Sequence, residues 1–427
     1  MTNQRREFLI QSGGIAAGFA CGAMSADLDL LAAPAAFQRK RKTLAVIATV
    51  YRRRSHADHI AGRFLTGYPV NGKHHQPNYK VVSMHVEQVG DNDLSKGLSK
   101  KFGFRHCRTV REALTFGTDT LAVDGVLLIG EHGNYPDNKY EQRLYPRHRL
   151  MSRIVEEFRR TGRAVPVFND KHLSYTWKKA KQMVEWSQEL KFPLQAGSSL
   201  PVTWRRPELD FPLGTKLTDA MVVAFSHPER YGFHALETLQ CHVERRKGGE
   251  TGVKAVTALR GEAVWKAGQQ GLWSPELMKA AISRSRTVNP GKAHDNAGSP
   301  EAFLLEYRDG FRATVLMLTD HVGDFTFAAK TADGKIHSTL HYLPNPPGAK
   351  YFDALSYNIE RMLDANKAVI PIERTLLVSG VLESLMHSRY EKSKRLETPH
   401  LNVAYTAPAN SGFFRGAVDL AGQQHQH

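Results

Sequence analysis

Leu44-Ala45-Val46-Ile47-Ala48, Thr49-Val50-Tyr51-Arg52-Arg53-Arg54 and Ser55-His56-Ala57-Asp58-His59-Ile60-Ala61 follow one another without a break, and their reading decides the fold. The first segment is a continuous apolar run, as a parallel strand covered on both faces requires. The third opens on a serine able to cap a helix, and Ala57, Ile60 and Ala61 recur at helical spacing. The turn between them is where a dinucleotide-binding βα unit carries glycines, which let the backbone approach a pyrophosphate and let the helix start close against the strand. Here Ala48, Val50 and Arg53 occupy those places. Scaffold and loop therefore carry different messages.

Working outward, apolar runs at Leu44–Ala48, Val81–Val86, Val123–Ile129 and Ala164–Phe168 alternate with helical patterns at Ser55–Leu65, Leu94–Phe102 and Arg147–Arg160. That order predicts a Rossmann-like, doubly wound parallel sheet over residues 40–173. Beyond Ser174 the pattern changes. A long helix over Tyr175–Leu190 precedes strand-like segments at Thr218–Phe225, Gly252–Leu259, Phe303–Tyr307, Thr314–Leu318 and Phe325–Lys330, with turns at Arg308-Asp309-Gly310 and Ala332-Asp333-Gly334. These predict a C-terminal α+β domain over 174–405, built on a mostly antiparallel open sheet with one wet face. Helices at Gly232–Glu244 and Tyr351–Leu363 are expected to cover the other face; Arg284–Pro300 reads as a loop and 406–427 as a flexible tail.

The chain has 427 residues, too many for one ordinary core, and carries a formal charge of +16. Its Lys and Arg are spread along the chain, and no zinc-finger spacing, RNA-binding aromatic signature or basic helix accompanies them, so no nucleic-acid partner is expected. Arg5-Arg6-Glu7-Phe8-Leu9, a weakly apolar glycine-rich stretch and the small residues around Ala33-Pro34-Ala35 resemble a twin-arginine signal over 1–36. The expectation is export to the periplasm or an equivalent compartment, with no later run long enough to span a bilayer. Cys107 and Cys241 make neither a disulfide framework nor a metal pattern, and no metal is expected.

These elements, in this order, resemble the Gfo/Idh/MocA oxidoreductase family. The likeness covers nearly everything from Thr43 to about Tyr405. Val165-Pro166-Val167-Phe168-Asn169-Asp170-Lys171-His172-Leu173 aligns with the family's Glu-Lys-Pro stretch, placing Lys171 on its lysine, and Gly232-Phe233-His234 matches its Gly-x-His. The resemblance implies that Lys171 and His234 act on a substrate hydroxyl, the imidazole as proton acceptor and the lysine as the cation beside it. Four residues before His234 stands Arg230, where the family has Asp; Glu229 or Glu237 would have to orient the imidazole, and Glu237 is taken as the third catalytic residue. Arg230 is expected to lower the His234 pKa.

The implied cofactor is NAD or NADP, gripped by the turn residues Ala48, Thr49, Val50, Tyr51, Arg52 and Arg53, with Glu87 on the ribose and Glu131 and His132 lining the crevice. Ser55 can still cap the helix, and the arginines add charge-assisted donors. The implied partner is a small carbohydrate or polyol substrate, with homo-oligomerisation as a further expectation. Non-redox sugar chemistry and a non-catalytic sugar-binding role on the same scaffold remain alternatives.

Overall fold

The computed structural model describes residues 41–344 and 348–416; the signal expected over 1–36 and the last part of the tail, 417–427, lie outside the described residues. β1 (Lys42–Ala48) passes through the arginine turn into α1 (His56–Thr66), followed by a hairpin of β2 (Tyr68–Val70) and β3 (Lys73–His75). Then come β4 (Tyr79–Val86), α2 (Ser95–Phe102), β5 (Arg105–Cys107), α3 (Val110–Thr115), β6 (Gly125–Ile129), α4 (Arg147–Thr161), β7 (Val167–Asp170), α5 (Trp177–Glu189) and β8 (Leu194–Gly197). Six of these strands form one parallel sheet in the order β5-β4-β1-β6-β7-β8. Leu44–Ala48 and Gly125–Ile129 are buried throughout, which is why their sequences do not alternate. The strand order reverses between β1 and β6, so the ligand crevice of such a sheet lies at the C-terminal ends of those two strands.

The parallel sheet runs one strand beyond the expected boundary at 173. α5 is the crossover helix to β8, which pairs with β7 from Val167↔Leu194 to Asp170↔Gly197. β8 is only four residues long, Leu-Gln-Ala-Gly, too short to announce itself by hydrophobic pattern.

The second half contains β9 (Trp204–Arg206), β10 (Leu217–Ala224), α6 (Arg230–Val243), β11 (Val253–Arg260), α7 (Glu262–Gln269), α8 (Pro275–Ile282) and a single turn, α9 (Ala293–Asn296). It continues with β12 (Glu301–Tyr307), β13 (Arg312–Met317), β14 (Phe325–Thr331), β15 (Ile336–Tyr342), α10 (Tyr351–Ala365), α11 (Ile372–Tyr390) and β16 (Leu396–Glu397). The sheet order is β16-β11-β12-β13-β10-β14-β15-β9, antiparallel except for the β10–β13 pair. Its turns at Gly310 and Gly334 fall where the sequence places them, both at positive φ.

Two expectations about this sheet change. Both faces are covered: α6 and α11 pack Phe233, Leu236, Leu377 and Leu385 against Val222, Phe303 and Val315, while α7 and α8 pack Val264, Leu277 and Ala281 against Met221, Val223 and Leu316 on the other side. α10 covers the parallel sheet instead, where Phe352, Leu355, Ile359 and Met362 join Leu44, Val46, Ile60 and Phe64 in one core. Arg63 Nε bonds Asp353 Oδ1 at 2.6 Å and ties α1 to α10. The expected tail is also partly built in: Ala407 and Phe413 are buried, and Phe414 N–H donates to Val202 O at 2.9 Å. No helix of the described residues is long and apolar enough to cross a membrane.

Candidate active site

The site grows from the ends of β1, β6 and β7. Thr49 is fully buried, its N–H donating to Ile129 O and its hydroxyl to Glu131 O at 2.8 Å, so the loops after β1 and β6 are stitched together across the switch point. Ser55 caps α1 by accepting from Asp58 N–H. The His56 N–H faces His132 Nδ1 at 3.4 Å, and the two imidazoles meet edge to face at 5.0 Å.

Behind this seam lies a buried charge cluster. Gly130 follows β6, and a Cβ there would stand 2.6 Å from Arg147 Cγ; the glycine makes room for the first residue of α4 to fold inward, fully buried. Arg147 grips the Glu131 carboxylate and donates to His172 Nε2 at 3.1 Å. Lys171 leaves β7 in the left-handed conformation, φ 66°, a strain of order 1–3 kcal/mol for a residue with a side chain. Its ammonium sits 3.4 Å from Glu131 Oε1 and donates to the Arg230 carbonyl at 3.3 Å. The position where the family has Asp thus contributes backbone, and that backbone holds the lysine.

Burial alone would push the Glu131 carboxyl up, but Lys171 and Arg147 hold it well below the usual range. Burial, with Arg147 beside it, drives His172 well down, and burial drives Glu229 up to about 7 with Glu131 adding to the effect. Both shifts favour the neutral form, and the two side chains approach to 3.8 Å. Neither Glu229 oxygen has a hydrogen-bond partner among the described residues.

His234 is half-buried on α6, its ring among Tyr231, Phe233 and Phe325. Its pKa lies well below the usual value, through burial first and then Lys171 and His56, not through Arg230 as expected. Its Nδ1 has no partner, so neither Glu229 nor Glu237 orients it. Glu237 instead accepts from Ser198 N–H at 2.6 Å under Gly197 and acts as a brace for the turn after β8. Burial pushes this carboxyl up to about 7 as well.

Of the expected cofactor residues, Ala48 is strand core and Tyr51 is buried in the apolar core under α1, so its side chain cannot face a ligand there. Glu87 is held by Arg149, at 2.6 and 2.8 Å, and by Tyr135, so its carboxylate is already engaged. Val50 and Arg52 are half-buried and Arg53 exposed; Arg52, Arg53 and Arg54 have no ion-pair partner among the described residues. A dinucleotide's phosphates would have guanidinium donors beside the α1 N-terminus here, in place of the glycine-backed amides of a standard loop. A cavity of about 310 Å³ lies between Tyr135, Tyr145, Arg149 and Tyr175.

Sequence reasoning missed His56 and Asp170. His56 Nδ1 lies 2.6 Å from Asp170 Oδ2 across 114 residues, a pairing no local pattern reveals. It also missed that Cys241, His242 and His341 come within 4.8 Å of one another. There His341 Nδ1 bonds Leu200 O and His242 Nε2 bonds His341 Nε2 at 2.9 Å, while the Arg205 guanidinium lies 3.6 Å from the Cys241 sulfur. One consistent set of neutral tautomers satisfies these contacts, and a cation would sit against the guanidinium. Cys107 and Cys241 are free and buried, and burial pushes both thiols up to about 11.

No family model and no curated protein matches the sequence. Solved structures do match. GenD2 from gentamicin A biosynthesis, in complex with NAD, aligns over 84% of this chain and 97% of its own with 12% identity and a TM-score of 0.55. The myo-inositol dehydrogenase of Lactobacillus casei, in complex with NAD(H) and myo-inositol, aligns over 86% and 99% with 12% identity and a TM-score of 0.53. The myo-inositol 2-dehydrogenase of Lactobacillus plantarum aligns over 84% and 99% with 10% identity and a TM-score of 0.50. The chain has the two-domain fold of the Gfo/Idh/MocA dehydrogenases.

Proposed function

We propose that this chain is a nicotinamide-dependent oxidoreductase acting on a carbohydrate or related polyol. The observation that carries the reading is Lys171: a nearly buried ammonium at the C-terminal end of β7, held between Glu131 and the Arg230 carbonyl, on the helix that also bears His234. A fixed cation there stabilises the alkoxide that forms as a secondary hydroxyl loses its proton. Arg52, Arg53 and Arg54 are the residues that would hold the dinucleotide's phosphates. When bound, the nicotinamide supplies the hydride acceptor. The neighbours solved with NAD, and with NAD(H) and myo-inositol, support the same reading.

A second reading, non-redox acid–base chemistry on a keto-sugar, is favoured by the seam of Thr49, Glu131, His56 and His132 across the switch point and by the engagement of Glu87 with Arg149. Native mass spectrometry of the purified chain, followed by titration with NAD+ and NADP+, separates the two. Retained dinucleotide or saturable binding is expected; no binding of either form leaves the non-redox reading. The same spectra report the proposed homo-oligomer. Export by the twin-arginine route is part of the proposal, and is checked by cell fractionation and by the mass of the processed chain, with Arg5→Lys/Arg6→Lys expected to stop it.

A further inference from the structure

His56 is the first residue of α1 and Asp170 the last of β7, and the fold sets them face to face at the crevice. Asp170 is buried and its Oδ2 lies 2.6 Å from His56 Nδ1, so that nitrogen carries the proton and donates it to the carboxylate. Nε2 is then the bare acceptor, and it has no hydrogen-bond partner among the described residues. The His56 side chain keeps 16% of its surface exposed, enough for a ligand to reach it. Edge-to-face contacts with His132 at 5.0 Å and Phe352 at 5.2 Å fix the ring plane. His234, by contrast, has a buried Nδ1 with no carboxylate to orient it.

We propose that His56, positioned by Asp170, is the proton acceptor of this site. The inference rests on the reading that a polyhydroxylated substrate binds at this crevice. A substrate hydroxyl gives its proton to Nε2, the electron pair stays on oxygen as the alkoxide beside the Lys171 ammonium, and the imidazolium that forms is stabilised by the Asp170 carboxylate. With a ketone as substrate, the same nitrogen takes the proton from the adjacent carbon, and the electron pair moves onto the carbonyl oxygen as an enolate held by Lys171. Neither proton transfer consumes an oxidant. Asp170 is a positioning residue. The titratable groups that surround His56 are His59 on its own helix, Glu131 and His132 after β6, Asp170 on β7, and His234 on α6. Burial drives His59 down to about 3 and His132 to about 4, so neither competes for the proton at neutral pH.

The test uses the full chain in two assays: NAD+ reduction with myo-inositol, and cofactor-free uptake of deuterium from D2O into the corresponding keto-inositol, followed by NMR. His56→Asn retains an amide donor toward Asp170 and removes the base. It is expected to lower kcat at least 100-fold in each assay the wild type performs, with KM changed less than threefold and an unaltered melting temperature. Asp170→Asn is expected to lower kcat about tenfold to 100-fold and to displace the pH–rate profile, which a purely structural role would not do. His56→Gln repeats the test should His56→Asn fail to fold. Full kcat in a folded His56 variant overturns the proposal, as does a wild type inert in both assays. A wild type that exchanges deuterium but reduces no NAD+ sinks the oxidoreductase reading alone, and the loss of exchange in His56→Asn then still supports His56.

Discussion

Two of the buried charge networks among the described residues are finished to different degrees. In the second domain Glu244 takes Arg374 Nε and Nη2 and the Tyr405 hydroxyl, leaving Arg374 Nη1 without a partner, and Glu250 takes Gln240, Arg246 and the N–H groups of Thr251 and Gly252. All four carboxylate oxygens are bonded. At the crevice both Glu229 oxygens, Asp170 Oδ1, His172 Nδ1 and His234 Nδ1 are buried without a partner. An unmet buried polar atom costs free energy. The difference lies in the carboxylates: those of the first network are saturated by the fold, and the Glu229 carboxyl at the crevice is left without a donor.

The largest effect should come from the open network's cation. Lys171→Met is expected to reduce turnover about 1000-fold, in line with the loss of a preorganised charge at a developing oxyanion. A variant with wild-type kcat would put the reaction centre elsewhere. In the closed network Glu244→Gln leaves Arg374 buried without its countercharge and should cost about 3–5 kcal/mol in urea denaturation. A loss below about 1 kcal/mol would erase the distinction between the two regions.

Glu229 sharpens the contrast through pH. Its folded pKa, about 7, lies above the unfolded carboxylate value, so the folded state binds the proton more tightly. The stability it lends is complete below the unfolded pKa and is lost as pH rises through the folded one. Wild type should lose about 2–3 kcal/mol relative to Glu229→Gln between pH 5 and pH 8, at about 1.4 kcal/mol per unit. Denaturant melts at both pH values check it, and a flat difference would mean that Glu229 is solvated.

Smaller again is Gly130→Ala, where the new Cβ meets Arg147 at 2.6 Å. Overpacking of this kind should cost about 1–3 kcal/mol, and a crystal structure should show Arg147 displaced from Glu131. The smallest effect belongs to the exposed pair. Arg149→Ala should change stability by less than about 1 kcal/mol, since its side chain is 56% exposed.

Much of the scaffold was legible because its signals are local. The runs Leu44–Ala48 and Val81–Val86, the Ser55 cap and the glycine turns at 310 and 334 each state their conformation within a few residues. α7 and α8 escaped reading although Ser274 followed by Pro275 is a helix-start signal, and Ser274 does accept from Leu277 N–H. α10 was read as a helix but assigned to the wrong sheet, because an amphipathic face says that something covers it without saying what. At the site, family spacing pointed to Lys171 and His234 as candidates. Arg147 could not, since its burial depends on the space left by Gly130.

The glycine-free turn shows where the boundary lies. The sequence by itself determined that a strand, a turn and a capped helix begin a parallel α/β sheet, because periodicity and capping act over a few residues. Tertiary structure alone decided that His56 meets Asp170, that Arg230 lends Lys171 a carbonyl and that Arg149 takes Glu87. The physical reason is that the meaning of a charge is set by its burial and its partner, and folding supplies both from residues far apart in the chain.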